Sequence, residues 1–231
     1  MPQTLRLLGF VMEFGQVLFN ISIWAIPVLI AITFHEAAHG YVALMFGDNT
    51  AKMEGRLSLN PIKHIDPIGT ILLPGMLLLL KAPFVFGYAK PVPVDFRKLR
   101  SPKRDMIFVA AAGPLMNILL AIISALLFHV IAFLPSSAME WAAHNLANSI
   151  QINILLAIFN LLPIPPLDGG RILVGLLPMP LARPLARVEP YGFLILLGLI
   201  MIPPMLGVNL FSKILAGPLH FITKLIAPLA G

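Results

Sequence analysis

The stretch VLFNISIWAIPVLIAITFHEAAHGYVALMF, residues 17–46, decides the fold. Residues 17–34 carry no charge, and about 20 such residues cross a hydrocarbon core of about 30 Å as a helix. The apolar pattern runs on to Phe46, with His35, Glu36 and His39 as its interruptions. The whole chain has the same character: 58% apolar and 11% charged over 231 residues, with a mean hydropathy of +0.92. A soluble domain has about 45–50% apolar and about 25% charged residues, and a disordered chain is poor in apolar residues. Both classes are excluded, and an all-α integral membrane protein is predicted. The chain has no cysteine, which removes disulfides, cysteine nucleophiles and thiolate metal ligands. Its formal charge of +6 is read as loop charge that sets topology, and no nucleic-acid partner is expected.

Upstream, residues 5–14 are apolar with Arg6 and Glu13 as their charges. No polar break or small-residue cleavage site precedes the long span, so a signal peptide is rejected. Residues 1–16 are read as an interfacial helix. Downstream, 47–67 is rich in turn formers, and Gly55-Arg56-Leu57-Ser58-Leu59-Asn60 alternates polar and apolar as a short strand does. Residues 68–87 are apolar but broken by Pro74, Gly75, Lys81 and Pro83, and 88–105 is a basic loop. Further spans are read at 106–134, 146–162, 191–205 and, as a last span or an interfacial segment, 209–229. Loops are read at 135–145, which lacks Lys and Arg, and at 178–190, which carries Arg183 and Arg187.

Loop charge orients this array. The basic loops at 88–105 and 178–190 belong on the cytoplasmic side and 135–145 on the other. That parity holds only if 68–87 is re-entrant. The expected architecture is a polytopic helix bundle of about 4–6 spans, with a re-entrant loop and a short β-strand region on the cytoplasmic side. It forms a single membrane-embedded domain over 1–231, with a catalytic core at 17–177 and C-terminal membrane segments at 178–231.

His35-Glu36-Ala37-Ala38-His39 carries the chemistry. Positions four apart on a helix differ by about 40° around its axis, so both imidazoles leave one face, as two ligands of a tetrahedral zinc must. Glu36 lies beside them, suited to take a proton from a metal-bound water. An ionisable group at membrane depth costs about 2.5–3.5 kcal/mol on insertion scales, and a metal compensates for three together. Asp168, after the break Pro163-Ile164-Pro165-Pro166-Leu167, is the candidate third ligand. Its other reading is a helix N-cap, and the parity argument, which brings it to the depth and side of the histidines, favours the ligand.

These pieces resemble the site-2 proteases, intramembrane zinc metalloproteases, and their minimal subgroup without PDZ or CBS domains. The likeness is carried by His35 to His39, by Gly55-Arg56-Leu57-Ser58-Leu59-Asn60-Pro61-Ile62-Lys63-His64-Ile65-Asp66-Pro67, by Tyr88-Ala89-Lys90-Pro91-Val92-Pro93-Val94, by Ala112-Gly113-Pro114-Leu115-Met116-Asn117, and by Asn160 through Gly169 with Leu167-Asp168-Gly169. The resemblance implies one zinc ion on His35, His39 and Asp168, and Glu36 as general base. It also implies a role for Asn160 near the substrate carbonyl, where Asn160 is read as an oxyanion donor or as an interhelical packing residue. Gly113 and Asn117 are read as scaffold or as support behind the metal ligands. Leu57, Ser58 and Leu59 are read as an edge that pairs with an unwound substrate or as an ordinary hairpin. The implied partners are transmembrane protein or peptide substrates and the lipid bilayer. The expected place is a prokaryotic cytoplasmic membrane, with the active site nearer the cytoplasmic face. Against this stands a non-proteolytic zinc-binding protein or transporter. A transporter is expected to show repeated halves or several intramembrane carboxylates along a path, and neither is visible.

Overall fold

The computed structural model describes residues 3–79, 87–208 and 210–231, which are helical wherever they are regular. The α-helices are α1 (Gln3–Met45), α2 (Thr50–Met53), α3 (Leu73–Leu79), α4 (Pro102–Leu127), α5 (Ser136–Asn160), α6 (Asp168–Leu176), α7 (Met179–Val188), α8 (Gly192–Met205) and α9 (Leu210–Ile226). Among the described residues, four stretches are long and apolar enough to cross a membrane: Glu13–Met45, Pro102–Phe133, Met179–Pro203 and Lys213–Ala230.

Side-chain size shows which solvent surrounds them. The buried stripe of α4 is small or polar, with Ala110, Gly113, Asn117, Ala121, Ser124 and Ala125, whereas Leu115, Leu119, Ile123 and Leu126 of the same helix are exposed. Lipid gives no hydrophobic drive between helices, so membrane bundles bury small residues that let backbones approach and turn large apolar ones outward. The buried residues Ile23, Pro27, Ala31, His35 and Ala38 form one face of α1. This inward face carries the first histidine of the motif and leads to the second.

α4 is the central helix, packed against α1, α5 and α6, and α1 also packs on α5. α1 and α4 run antiparallel: the Arg100 N–H donates to Phe46 O at 3.0 Å at one end. At the other end, Trp141 Nε1 donates to Ser22 Oγ at 2.9 Å, and His129 Nε2 meets Leu229 O at 2.9 Å. The basic segment 97–104 therefore sits at the opposite end of the bundle from 135–141.

Several expectations change. The strand expected over 55–60 does not form, and no strand occurs among the described residues. Its ladder donors are taken locally, with the N–H groups of Arg56 and Leu57 turned back to Ala51 O at 2.9 and 3.2 Å and the Asn60 N–H on Ser58 Oγ at 3.1 Å. Residues 3–16 do not form a separate helix but are continuous with the rest of α1. The loop read at 135–145 is the first part of α5, and 178–190 is mostly α7. α5 is not among the four apolar stretches, because Asn145, Asn148, Gln151 and Asn153 lower its hydropathy. It packs against α1, α4 and α9, with Asn148 donating to Ile23 O of α1 at 2.8 Å and Asn153 accepting from Asn117 of α4 at 2.8 Å. Over 68–87, a π-helical turn (Pro67–Leu72) leads into α3. The Tyr88 N–H returns to Gly69 O at 3.0 Å, joining the two ends of the stretch. The turning point of the expected re-entrant loop, 80–86, lies outside the described residues.

Candidate metal centre and active site

α1 delivers His35 and His39, and α6 delivers Asp168 as its first residue. Asp168 is not the N-cap: Leu167 holds that position without a side-chain bond. The Asp168 side chain instead turns to the histidines, with Oδ2 3.3 Å from His35 Nε2 and 3.4 Å from His39 Nε2. The two Nε2 atoms are 3.1 Å apart. The glycines after Asp168 let α6 press against the preceding turn. A Cβ on Gly169 would strike Leu161 O, and one on Gly170 would lie 2.5 Å from Pro165 N.

The far sides of both rings are fixed. His39 Nδ1 lies 2.7 Å from Val109 O, and a carbonyl can only accept, so Nδ1 carries the proton. His35 Nδ1 lies 2.6 Å from Asn117 Oδ1. With both protons on Nδ1, two Nε2 lone pairs and a carboxylate oxygen converge with no hydrogen among them. Asp168 Oδ2 is buried with no hydrogen-bond donor. Such an array repels itself unless a cation sits in it. Zinc bonds of about 2.0–2.1 Å in a tetrahedral arrangement set ligand atoms about 3.3–3.4 Å apart, and the three separations match that triangle. Histidine ligands of zinc characteristically donate their other N–H to a carbonyl, as both do here. Gly113 leaves the room: a Cβ there would strike His39 Nε2 and lie 2.6 Å from His35 Nε2.

Glu36 lies beside this triad, its Oε2 accepting from the Val92 N–H at 2.7 Å. The Val92 segment is held in turn by Arg56, which donates to Lys63 O at 2.7 Å, Lys90 O at 3.0 Å and Pro91 O at 3.2 Å, and by the Lys90 N–H on His64 O at 2.9 Å. The motifs at 55–61 and 88–94 thus build one wall of the site. A cavity of about 270 Å³ opens over His35, Glu36, His39, Asn160, Asp168 and Arg171. A second, of about 250 Å³, shares His35, Glu36 and Asn160 and is otherwise lined largely by apolar groups, among them Ile32, Tyr88, Phe159, Phe193 and Leu196.

The structure therefore brings together His35, His39, Asp168, Glu36, Asn160, Gly113 and Asn117. Leu57, Ser58 and Leu59 line neither cavity. Ser58 O is taken by His64 Nε2 at 2.8 Å, and a Cβ on Gly40 would lie 2.9 Å from the Leu57 side chain, so Leu57 packs against α1. Sequence reading missed three contributors. The Val92 N–H is a backbone group without a side-chain signal. Arg171 lines the cavity while bound to Glu189 at 2.8 Å. Asn153, fully buried in α5, had a usable signal in being an amide inside an apolar span.

Fold and site define a polytopic membrane protein with a buried group of two histidines and one carboxylate that could hold a metal ion. The pattern of Peptidase family M50 matches residues 128–203. The chain is 42% identical over 185 residues to "Putative zinc metalloprotease YwhC" of Bacillus subtilis (strain 168), covering 77% of this chain and 80% of that protein. It is 32% identical over 201 residues to "Putative zinc metalloprotease Rip2" of Mycolicibacterium smegmatis, covering 87% and 72%. It is 31% identical over 177 residues to "Putative zinc metalloprotease MJ0611" of Methanocaldococcus jannaschii, covering 74% and 80%. No solved structure matches the chain. The chain belongs to peptidase family M50, the site-2 protease family. It is a membrane metallopeptidase, and its cofactor is zinc.

Proposed function

We propose that this protein is an intramembrane endopeptidase that cuts a peptide bond in or near a transmembrane helix of its substrate, with zinc held by His35, His39 and Asp168. The observation that carries the reading is the convergence of two histidine Nε2 atoms and Asp168 Oδ2 within 3.1–3.4 Å, beside Glu36 and an open cleft. Zinc held there supplies Lewis acidity, making water acidic near neutral pH and polarising a carbonyl.

The side chains do the rest. Glu36 keeps Oε2 on the Val92 N–H and turns its other oxygen to the water, from which it takes a proton as the oxygen attacks the scissile carbonyl. It then passes that proton to the departing amine. Asn160 uses one Nδ2 hydrogen on Leu156 O at 3.0 Å. Its second hydrogen is free to donate to the substrate carbonyl oxygen as negative charge grows. A helical substrate shields its carbonyls with its own hydrogen bonds, so the bond must be presented unwound, which is costly in lipid. Substrates with Gly, Pro or Asn near the cut are therefore preferred.

His35 lies ten residues before the end of α1, about 15 Å along its axis. With the basic segments 88–105 and 178–190 on the cytoplasmic side, the centre lies below that surface of a prokaryotic cytoplasmic membrane. The test is cleavage of a model transmembrane peptide by the detergent-purified protein and by Glu36→Gln at equal zinc content. The wild type cleaves and the variant does not. Zinc in both with cleavage by neither supports a non-proteolytic zinc protein, and cleavage by both removes Glu36 from the mechanism.

A further inference from the structure

We infer that Asn153 is a positioning residue for the metal centre, acting through Asn117 to hold the His35 imidazole in the tautomer that aims an unprotonated Nε2 at the metal. The inference rests on the zinc reading above. Asn117 and Asn153 are fully buried, each with 0% exposure, and a membrane bundle packed with alanine and isoleucine needs no amides for packing. They form a directed chain. The Ser149 carbonyl, fixed in α5, can only accept, and it takes a hydrogen from Asn153 Nδ2 at 2.9 Å. That leaves Asn153 Oδ1 to accept from Asn117 Nδ2 at 2.8 Å. The second Asn117 Nδ2 hydrogen goes to Ala31 O on α1 at 3.2 Å. Asn117 Oδ1 is thereby left as the acceptor for His35 Nδ1 at 2.6 Å.

Turning over the Asn117 amide would set its oxygen against two acceptors, Ala31 O and Asn153 Oδ1, and would offer His35 a donor in place of an acceptor. His35 would then hold its proton on Nε2, where a ligand needs a lone pair. Asn153 never touches the centre, yet it fixes which nitrogen of His35 is free. The chain also crosses α5, α4 and α1, so the ligand is oriented only where these three helices are docked.

The test uses the full chain in detergent, with zinc as the probe. Zinc affinity is measured by chelator competition. The His35 tautomer is read by ¹⁵N NMR of labelled histidines, assigned through His35→Gln, in zinc-free protein carrying Asp168→Ala, where no carboxylate draws a proton to Nε2. Asn153→Leu is expected to weaken zinc binding about 10- to 100-fold, the usual effect of losing a partner behind a metal ligand, and to bring in the Nε2–H tautomer. Asn153→Asp keeps an oxygen that accepts from Asn117 Nδ2 and is expected to retain the affinity and tautomer of Asn153. Unchanged affinity and tautomer in Asn153→Leu overturn the inference. So does equal weakening in both variants with no change of tautomer, the mark of a structural role alone. Asn153→Ala takes the place of Asn153→Leu if the latter does not fold. A wild type that fails to bind zinc overturns the functional reading itself, whereas Glu36→Gln, which leaves every ligand in place, tests hydrolysis separately.

Discussion

Glu36 Oε2 accepts a hydrogen bond from the backbone N–H of Val92 at 2.7 Å, across 56 positions of sequence. The residue proposed as base is thereby fixed from a different segment than the one carrying the metal ligands. One carboxylate oxygen is held, and the other is left for the water.

Val92→Pro removes that donor while roughly keeping the buried volume, in a segment already flanked by Pro91 and Pro93. Cleavage should fall about tenfold or more, since small displacements of a catalytic group are costly. Zinc content should not change. Peptide cleavage and zinc analysis on one preparation check both.

Arg56 joins Lys63 O, Lys90 O and Pro91 O with one guanidinium. A lysine cannot span such a fork. Arg56→Lys should lower cleavage by about tenfold at unchanged zinc content, because the wall bearing Val92 loosens while the ligands stay. Zinc loss in this variant would show that the wall also holds the metal site together.

Gly113→Ala places a methyl group against both ligand imidazoles. Zinc affinity should fall about tenfold or more, as when a ligand's orientation is lost, with helix content by circular dichroism retained. Chelator competition measures the first.

Asn160→Ala separates the two readings of that residue. As an oxyanion donor its loss costs about 10²–10³ in kcat with zinc affinity and unfolding temperature unchanged. As a packing residue its loss lowers the unfolding temperature instead.

Much of this site was legible in the sequence because helix geometry is local. The spacing of His35 and His39 fixes their shared face, and the inward stripe Ile23, Pro27, Ala31 is the same periodicity continued upstream. Asp168 is proposed from the parity read off loop charge, and the structure places its Oδ2 3.3 and 3.4 Å from the two histidine Nε2 atoms. The strand at 55–60 failed because alternation describes where side chains point, whereas a strand needs a neighbour to receive its N–H groups, and Ala51 O takes two of them. The first turns of α5 read as a loop because 135–145 lacks a long apolar run, whereas a helix in a bundle needs apolar or small residues only where it meets its neighbours, here α1, α4 and α9. The Val92 N–H and the direction of the Asn153 to Asn117 chain depend on which segments meet in space, which no spacing encodes.

The central claim is that His35, His39 and Asp168 hold the metal together. Zinc per chain, measured after dialysis against a weak chelator, tests it most directly. The account predicts one zinc per chain in the wild type and in Glu36→Gln, and near-complete loss in Asp168→Ala. Full zinc retention in Asp168→Ala would contradict it.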